Sequence, residues 1–175
     1  MNILFIDESK RKKMILIGVI VPMSQVPRVR KYLARMRLPR QRSVHFVNES
    51  DSRRRTFLDE VYRLNIRAVR VSTSLSNELL ARELAVRKLV DLAMELDVGH
   101  LVFETDESMR KRDATWIREH LAHRAGIDQL SFEHRARHEE PILWAADAFA
   151  WASSRGGEWE RRICDVLIRD IELDL

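Results

Sequence analysis

Hydrophobic runs and their punctuation divide the chain into short alternating elements. Residues 2 to 7 carry Ile3-Leu4-Phe5-Ile6 and predict a strand. Residues 14 to 21, apolar except for Gly18, predict a second strand closed by Pro22, with Lys10 to Lys13 as the hairpin turn between them. Both runs are too apolar for a sheet with one wet face, so helices are expected on both sides. Val26, Val29, Leu33 and Met36 have helical spacing and predict a helix over 24–37. Ser43 to Val47 reads as a short strand. Ser50 reads as the N-cap of a helix through Leu64 with Phe57, Leu58 and Val61 on its inner side. Residues 66 to 74 alternate apolar and polar as a half-buried strand does.

The second half continues the alternation. Ser76 is the expected cap of a helix to about Leu96, with Leu79, Leu80, Leu84, Leu89, Val90, Leu92 and Ala93 as its buried side. A strand is expected over His100 to Thr105, a helix over Ala114 to His123, and a short strand over Gln129 to His134. Pro141 suits a helix start. That helix is expected to run to about Ala152, to break at Gly156-Gly157, and to be followed by a last helix over 158–172. Strands alternating with helices predict an α/β domain with a partly parallel sheet.

Composition narrows the class. With 175 residues, 45% of them hydrophobic and 33% charged, the chain suits one domain with a real core. No run is long enough for a membrane span, and no basic segment precedes a long apolar stretch at the start. The single cysteine, Cys164, excludes an intramolecular disulfide and a cysteine metal cluster, so a cytoplasmic location is expected. The charge is uneven. Residues 10–42 hold eleven of the 31 Lys and Arg and no acid, which leaves 31 − 11 = 20 bases against all 27 acids elsewhere. A basic first quarter fits an anionic polymer such as nucleic acid, and equally a solvated helix face balanced by acids elsewhere in the fold.

The acids supply the candidate chemistry. The first strand runs into Asp7-Glu8, and Leu101-Val102-Phe103 runs into Glu104-Thr105-Asp106. Strand ends of this kind are where open α/β sheets place ligand sites. Asp147 is the only charged residue between Ile142 and Ala152, and it shares its helix side with Leu143, Trp144, Ala150 and Trp151. Such a carboxylate either marks a narrow solvent stripe or meets a cation, because burial alone is very costly. Asp7, Glu104 and Asp147, with Asp106 and Glu8 beside them, could together hold one or two Mg²⁺ or Mn²⁺ ions for phosphodiester hydrolysis.

Phe5-Ile6-Asp7-Glu8-Ser9, the apolar strand Ile15 to Val21, Leu101-Val102-Phe103-Glu104, and the stretch from Glu140-Pro141 through Asp147 to Trp151 occur in an order that resembles a bacterial family. That family is known as domain of unknown function 3800 and has a ribonuclease H-like fold. The resemblance covers essentially all of residues 1–175. It implies one ribonuclease H-like domain, a mixed sheet flanked by helices. It also implies a metal-dependent nuclease acting on RNA or DNA, with Asp7, Glu104 and Asp147 as catalytic and metal-binding acids. The chain departs from the family where Lys10 replaces a common Gly and where Glu104 replaces a common Asp. No clear counterpart of a fourth acid is present, and Glu8 is the candidate for that role. The alternative is a non-catalytic nucleic-acid-binding or accessory protein on the same scaffold.

Several residues are secondary candidates. Lys10, Arg11, Lys12 and Lys13 are expected to hold a nucleic-acid backbone. His45 is either structural or a phosphate donor or proton shuttle. Arg135 and Arg137 are candidates to hold phosphates, and His134 or His138 to assist proton transfer, although the same stretch reads equally as a mixed-charge surface loop. Asp113 is expected to cap a helix. Trp144, Trp151 and Trp159 are expected in the core. The absence of a Gly-rich phosphate loop argues against nucleoside triphosphate use.

Overall fold

The computed structural model describes residues 1–122 and 130–174. Strands β1 (Asn2–Ser9) and β2 (Met14–Pro22) form the expected hairpin. They are followed by α1 (Val26–Ala34), α2 (Asp51–Arg63), β3 (Arg67–Thr73), α3 (Glu78–Glu95), β4 (Val98–Glu104) and α4 (Arg110–Ala122). The chain ends with β5 (Ser131–Arg135), α5 (Ile142–Arg155), the short α6 (Glu158–Arg161) and β6 (Leu167–Glu172). The sheet order is β5-β4-β1-β2-β3-β6. The β1/β2 and β2/β3 pairs are antiparallel, and β1/β4, β4/β5 and β3/β6 are parallel.

The sheet separates two apolar cores, as the continuous apolar runs require. Phe5, Val19, Val21 and Val102 face α1, α2, α5 and α6. Leu4, Ile6, Leu16, Leu101 and Phe103 face α3 and α4. Gly18 permits the close contact of β2 with β1: a Cβ there would stand 2.7 Å from Leu4 Cδ1. Helix α5 lies between the sheet and the outer helices and is buried almost all round, which is why its sequence lacks a polar face. Trp144 is buried there, and Trp151 and Trp159 meet edge to face at 5.1 Å. Among the described residues no helix is long and apolar enough to cross a membrane.

Six sequence expectations need correction. Strand β1 extends through Asp7-Glu8-Ser9, because β2 continues to pair with it as far as Ser9↔Ile15. Ser43 to Val47 is not a strand: residues 46–48 form a 3-10 turn, and the Phe46 N–H is taken by a side chain instead of a neighbouring strand. The cap of α3 is Asn77, whose Oδ1 accepts the Leu80 N–H at 3.1 Å. Leu79 and Leu80 are exposed, and Ala81, Arg82, Ala85 and Val86 take the inner positions. Residues 158–172 end as a strand because the free edge of β3 offers a ladder, and that gain overrides local helical spacing. His123 and Gln129 lie outside the described residues. Ser50 does cap α2, accepting the Arg53 N–H at 3.3 Å.

The sixth correction concerns Asp113, which is not a cap. It is buried in the first turn of α4, and Arg82 Nε and Nη2 donate to its two oxygens at 2.9 Å each. Arg82 also pairs with Glu8, and His134 Nε2 lies 3.4 Å from Asp113. Burial by itself pushes the Asp113 carboxyl up. The hydrogen bonds from Arg82 and His134 outweigh that and hold it below the ordinary carboxylate value. Removing one member of a buried pair strands the other charge, so Asp113→Ala is expected to cost about 3 kcal/mol at pH 7. Thermal denaturation should show a midpoint lower by roughly 6–12 °C. A carboxyl held low in the fold stabilises above its unfolded-state value and loses that contribution as pH falls through its depressed one. The difference between parent and variant should therefore shrink in acid, and a difference that grows in acid would exclude this account.

Candidate functional site

The ladder between β1 and β4 sets the position of the first two acids. Its last pair is Ile6↔Phe103, so Asp7 and Glu104 occupy the next register position at the carboxyl edge of two adjacent parallel strands. Strand alternation fixes their direction. Phe5 and Val102, two residues earlier, both face α5, and Asp7 and Glu104 follow them onto that side. Parallel neighbours are about 4.8 Å apart, so their carboxylates meet. The Glu8 N–H donates to Asp7 Oδ1 at 2.7 Å, while Asp7 Oδ2 is buried and receives no hydrogen-bond donor among the described residues.

Helix α5 packs across β1 and β2 and brings Asp147 to the same place. Asp147 Oδ2 accepts the Phe46 N–H at 2.7 Å. The departure of residues 43–47 from strand geometry is thus a consequence of the site, since that amide orients Asp147. The side chain is buried and lies on no solvent stripe.

Arg137 stands among all three acids. It lies in the turn between β5 and α5, and the Trp144 indole N–H fixes its carbonyl at 2.8 Å. Its Nη2 is 2.7 Å from Glu104 Oε1 and donates to Oε2 at 2.8 Å, and its Nε donates to the same Oε2 at 3.1 Å. Nη2 is 3.7 Å from Asp7 Oδ2, and Nη1 is 3.7 Å from Asp147 Oδ2. Burial first, then repulsion from Glu104 and Asp147 and a side-chain hydrogen bond with Glu104, pushes the Asp7 carboxyl well up, and Arg137 offsets this only in part. Burial also pushes the Asp147 carboxyl up, against the pull of Arg137, the Phe46 amide and nearby His45. Among the described residues, no three Asp, Glu, His or Cys side chains are gathered in a metal-holding arrangement as they stand.

The other candidates divide between two systems. Glu8 points to the opposite face of β1, where Arg82 and Lys10 pair with it, Lys10 at 2.8 Å. Asp106 does not continue β4. It accepts from the Ser108 N–H at 2.9 Å and from Ser108 Oγ at 2.6 Å, and those bonds hold its carboxyl low. A cleft of about 240 Å³ joins the two systems and is lined by Asp7, Glu8, Arg82, Glu104, Asp106 and Arg137. Arg11 and Lys12 are exposed in the β1–β2 turn, and Lys13 pairs with Glu172 at 2.8 Å. His45 stands beside Asp147. Arg135 pairs with Glu133 at 2.9 Å, outside the acid cluster.

Sequence reasoning missed the buried Arg82–Asp113 pair and the role of Glu140. A charge at position 82 on a stripe continued by Val86, Leu89 and Ala93 was the available signal for the first. Glu140 is fully buried, accepts from Arg30 Nη2 at 2.6 Å and from the Ile142 N–H at 3.2 Å, and so ties α1 to the start of α5. Arg137 was legible only as one basic residue among several.

No protein-family model matches the chain, and no curated protein matches it. Among solved structures, the ribonuclease HII in the PCNA:RNase HII complex from Archaeoglobus fulgidus is similar in fold. It is 18% identical, with a TM-score of 0.59, over 93% of this chain and 75% of that one. The fold of this chain is therefore ribonuclease H-like: an α/β mixed sheet flanked by helices.

Proposed function

We propose that this chain is a divalent-cation-dependent nuclease that hydrolyses phosphodiesters of RNA or DNA at Asp7, Glu104 and Asp147. We further propose that it belongs with the domain of unknown function 3800 family, whose ordered motifs contain the same three acids. The observation that carries the reading is Asp7 Oδ2, a buried carboxyl oxygen that receives no donor among the described residues and meets the carboxyl of Glu104 with Asp147 close by. Buried acids of this kind are normally paired or bind a metal. An all-oxygen donor set of three carboxylates suits Mg²⁺ or Mn²⁺, so the residues fit the ion.

When bound, such an ion aligns the phosphodiester, acidifies the attacking water and stabilises the leaving oxygen. The chain's own residues do the rest. The Phe46 amide holds Asp147 in one orientation, and the Glu8 amide holds Asp7 so that Oδ2 stays directed into the cluster. His45, in the turn whose Phe46 amide holds Asp147, is the residue we assign as proton carrier for the departing oxygen. Arg11 and Lys12 present exposed positive charge at the turn beyond β1, where a nucleic-acid backbone can run. In the reaction the water oxygen bonds to phosphorus, the phosphorus–oxygen ester bond breaks, and the proton leaves the water as the leaving oxygen gains one.

A second reading has one specific observation behind it. Arg137 already supplies positive charge to the three acids, as it would in a binding protein that needs no ion. Thermal denaturation with Mn²⁺ separates the two. A ligand of the native state at about 100 times its Kd adds about 2.7 kcal/mol. The nuclease reading expects such a shift, lost in Asp147→Asn, together with divalent-dependent cleavage in a panel of RNA, DNA and RNA–DNA hybrid substrates. Asp7→Asn should abolish cleavage while folding is kept. Parent-like cleavage by Asp7→Asn would end the assignment.

In chelator, Asp7→Asn should be more stable than the parent at pH 8. A carboxyl held above its ordinary value stabilises below the unfolded value and loses that contribution as pH rises through the folded one. The advantage of the variant should therefore fade towards pH 5. For the turn, Arg11→Glu with Lys12→Glu should weaken nucleic-acid binding and flatten its dependence on salt by about one to two phosphate contacts. Unchanged binding would remove this turn from the interface.

A further inference from the structure

We propose that Arg137 is the resident, exchangeable counter-ion of the Asp7–Glu104–Asp147 cluster, and that a divalent cation loads the site by displacing its guanidinium. The inference rests on the divalent-cation reading above and adds a competing group built into the chain.

The geometry gives the reason for exchange. The guanidinium makes full hydrogen bonds to Glu104 alone, at 2.8 and 3.1 Å, with a further ion-pair contact to its other oxygen at 2.7 Å. Its two contacts at 3.7 Å, to Asp7 and Asp147, lie beyond hydrogen-bond range. A flat fork suits one carboxylate edge and cannot serve three acids that converge from two strands and a helix. Asp7 Oδ2 consequently keeps no donor. A small ion accepts carboxylate oxygens from several directions at about 2.0–2.6 Å. It would therefore satisfy the oxygen that Arg137 leaves out, and the three acids cannot gather around it until the guanidinium has left their midst.

The geometry also gives the means. The Trp144 indole fixes the Arg137 carbonyl, and the Thr105 N–H fixes the Arg135 carbonyl at 2.9 Å, so the backbone stays in place. Only the side chain has to move, and it lines the open cleft beside Asp106 and Glu8. The contrast with Arg82 is physical. Arg82 is itself buried, is held by both oxygens of the buried Asp113 at 2.9 Å and pairs with the half-buried Glu8 on its other side.

Competition of this kind weakens apparent affinity by the fraction of time the site is open: a site open one time in ten binds about tenfold more weakly. The test is a Mn²⁺ titration of the metal-free full chain at pH 8, read by the electron paramagnetic resonance signal of free Mn²⁺. Arg137→Gln and Arg137→Met should each bind Mn²⁺ at least about tenfold more tightly than the parent. Arg137→Lys keeps the charge and should stay close to the parent, which a purely structural role for the side chain would not produce. Two uncharged variants are used so that a fold defect in one, seen in its circular dichroism, does not decide the result. Equal or weaker Mn²⁺ binding by the uncharged variants overturns the proposal while leaving the cation site standing. Binding by none of the four proteins overturns the cation reading and this inference together.

Discussion

Three carboxylates cannot share one dry corner of a protein without positive charge among them, and that requirement organises one end of this molecule. Asp7 and Glu104 are brought side by side by a parallel ladder that ends one residue before them, and α5 adds Asp147 from above. The repulsion shows in the carboxyl of Asp7, which burial and its acidic neighbours push well up. Glu104 is the only one of the three that Arg137 bonds fully. The turn at residues 43–47, the anchored turn before α5 and the indole of Trp144 are all arranged around this charge problem.

Alternation along β1 divides the acids into two systems with different physics. Asp7 faces α5 and Glu8 faces α3, although they are neighbours in the chain. On the α3 side, Arg82 forms ion pairs with both Asp113 and Glu8. On the α5 side, one guanidinium serves three acids, bonds Glu104 and stays 3.7 Å from the other two. The first system holds α3, α4 and the sheet together. The second has unused binding capacity, which is the property expected of a site rather than of a structural clamp.

Much of the fold was legible because it follows from period and burial. The β1–β2 hairpin, the Ser50 cap, the alternating β3 and the uncharged α5 each carry a local signal strong enough to survive in the tertiary structure. The failures have one cause: the decisive partner is distant in sequence. Residues 167–172 become a strand because β3 offers an edge, and residues 43–47 lose theirs because Asp147 takes the Phe46 amide. Leu79 and Leu80 looked like core until Arg82 claimed the inner face through Asp113, 31 residues away. At the site, Asp7, Glu104 and Asp147 could be chosen because each ends or interrupts an apolar run. Arg137 could not, since nothing in a polar stretch shows which basic residue a turn will aim inward.

The placement of Arg137 is itself dictated by the elements on either side of it. Arg135 ends β5 with its carbonyl bonded to Thr105, and Glu140 is buried against Arg30 at the start of α5. Four residues therefore have to cross from the sheet edge to the helix above it, and the Arg137 carbonyl is held midway by Trp144. A side chain leaving that point on the cleft side meets the acid cluster. An uncharged residue there would take away the positive charge that offsets the upward push on the Asp7 and Asp147 carboxyls. The arginine supplies that charge, yet grips the cluster at one carboxylate only. A counter-ion that bonds just one of three acids and stands 3.7 Å from the other two leaves room for an ion that can take oxygens from several directions.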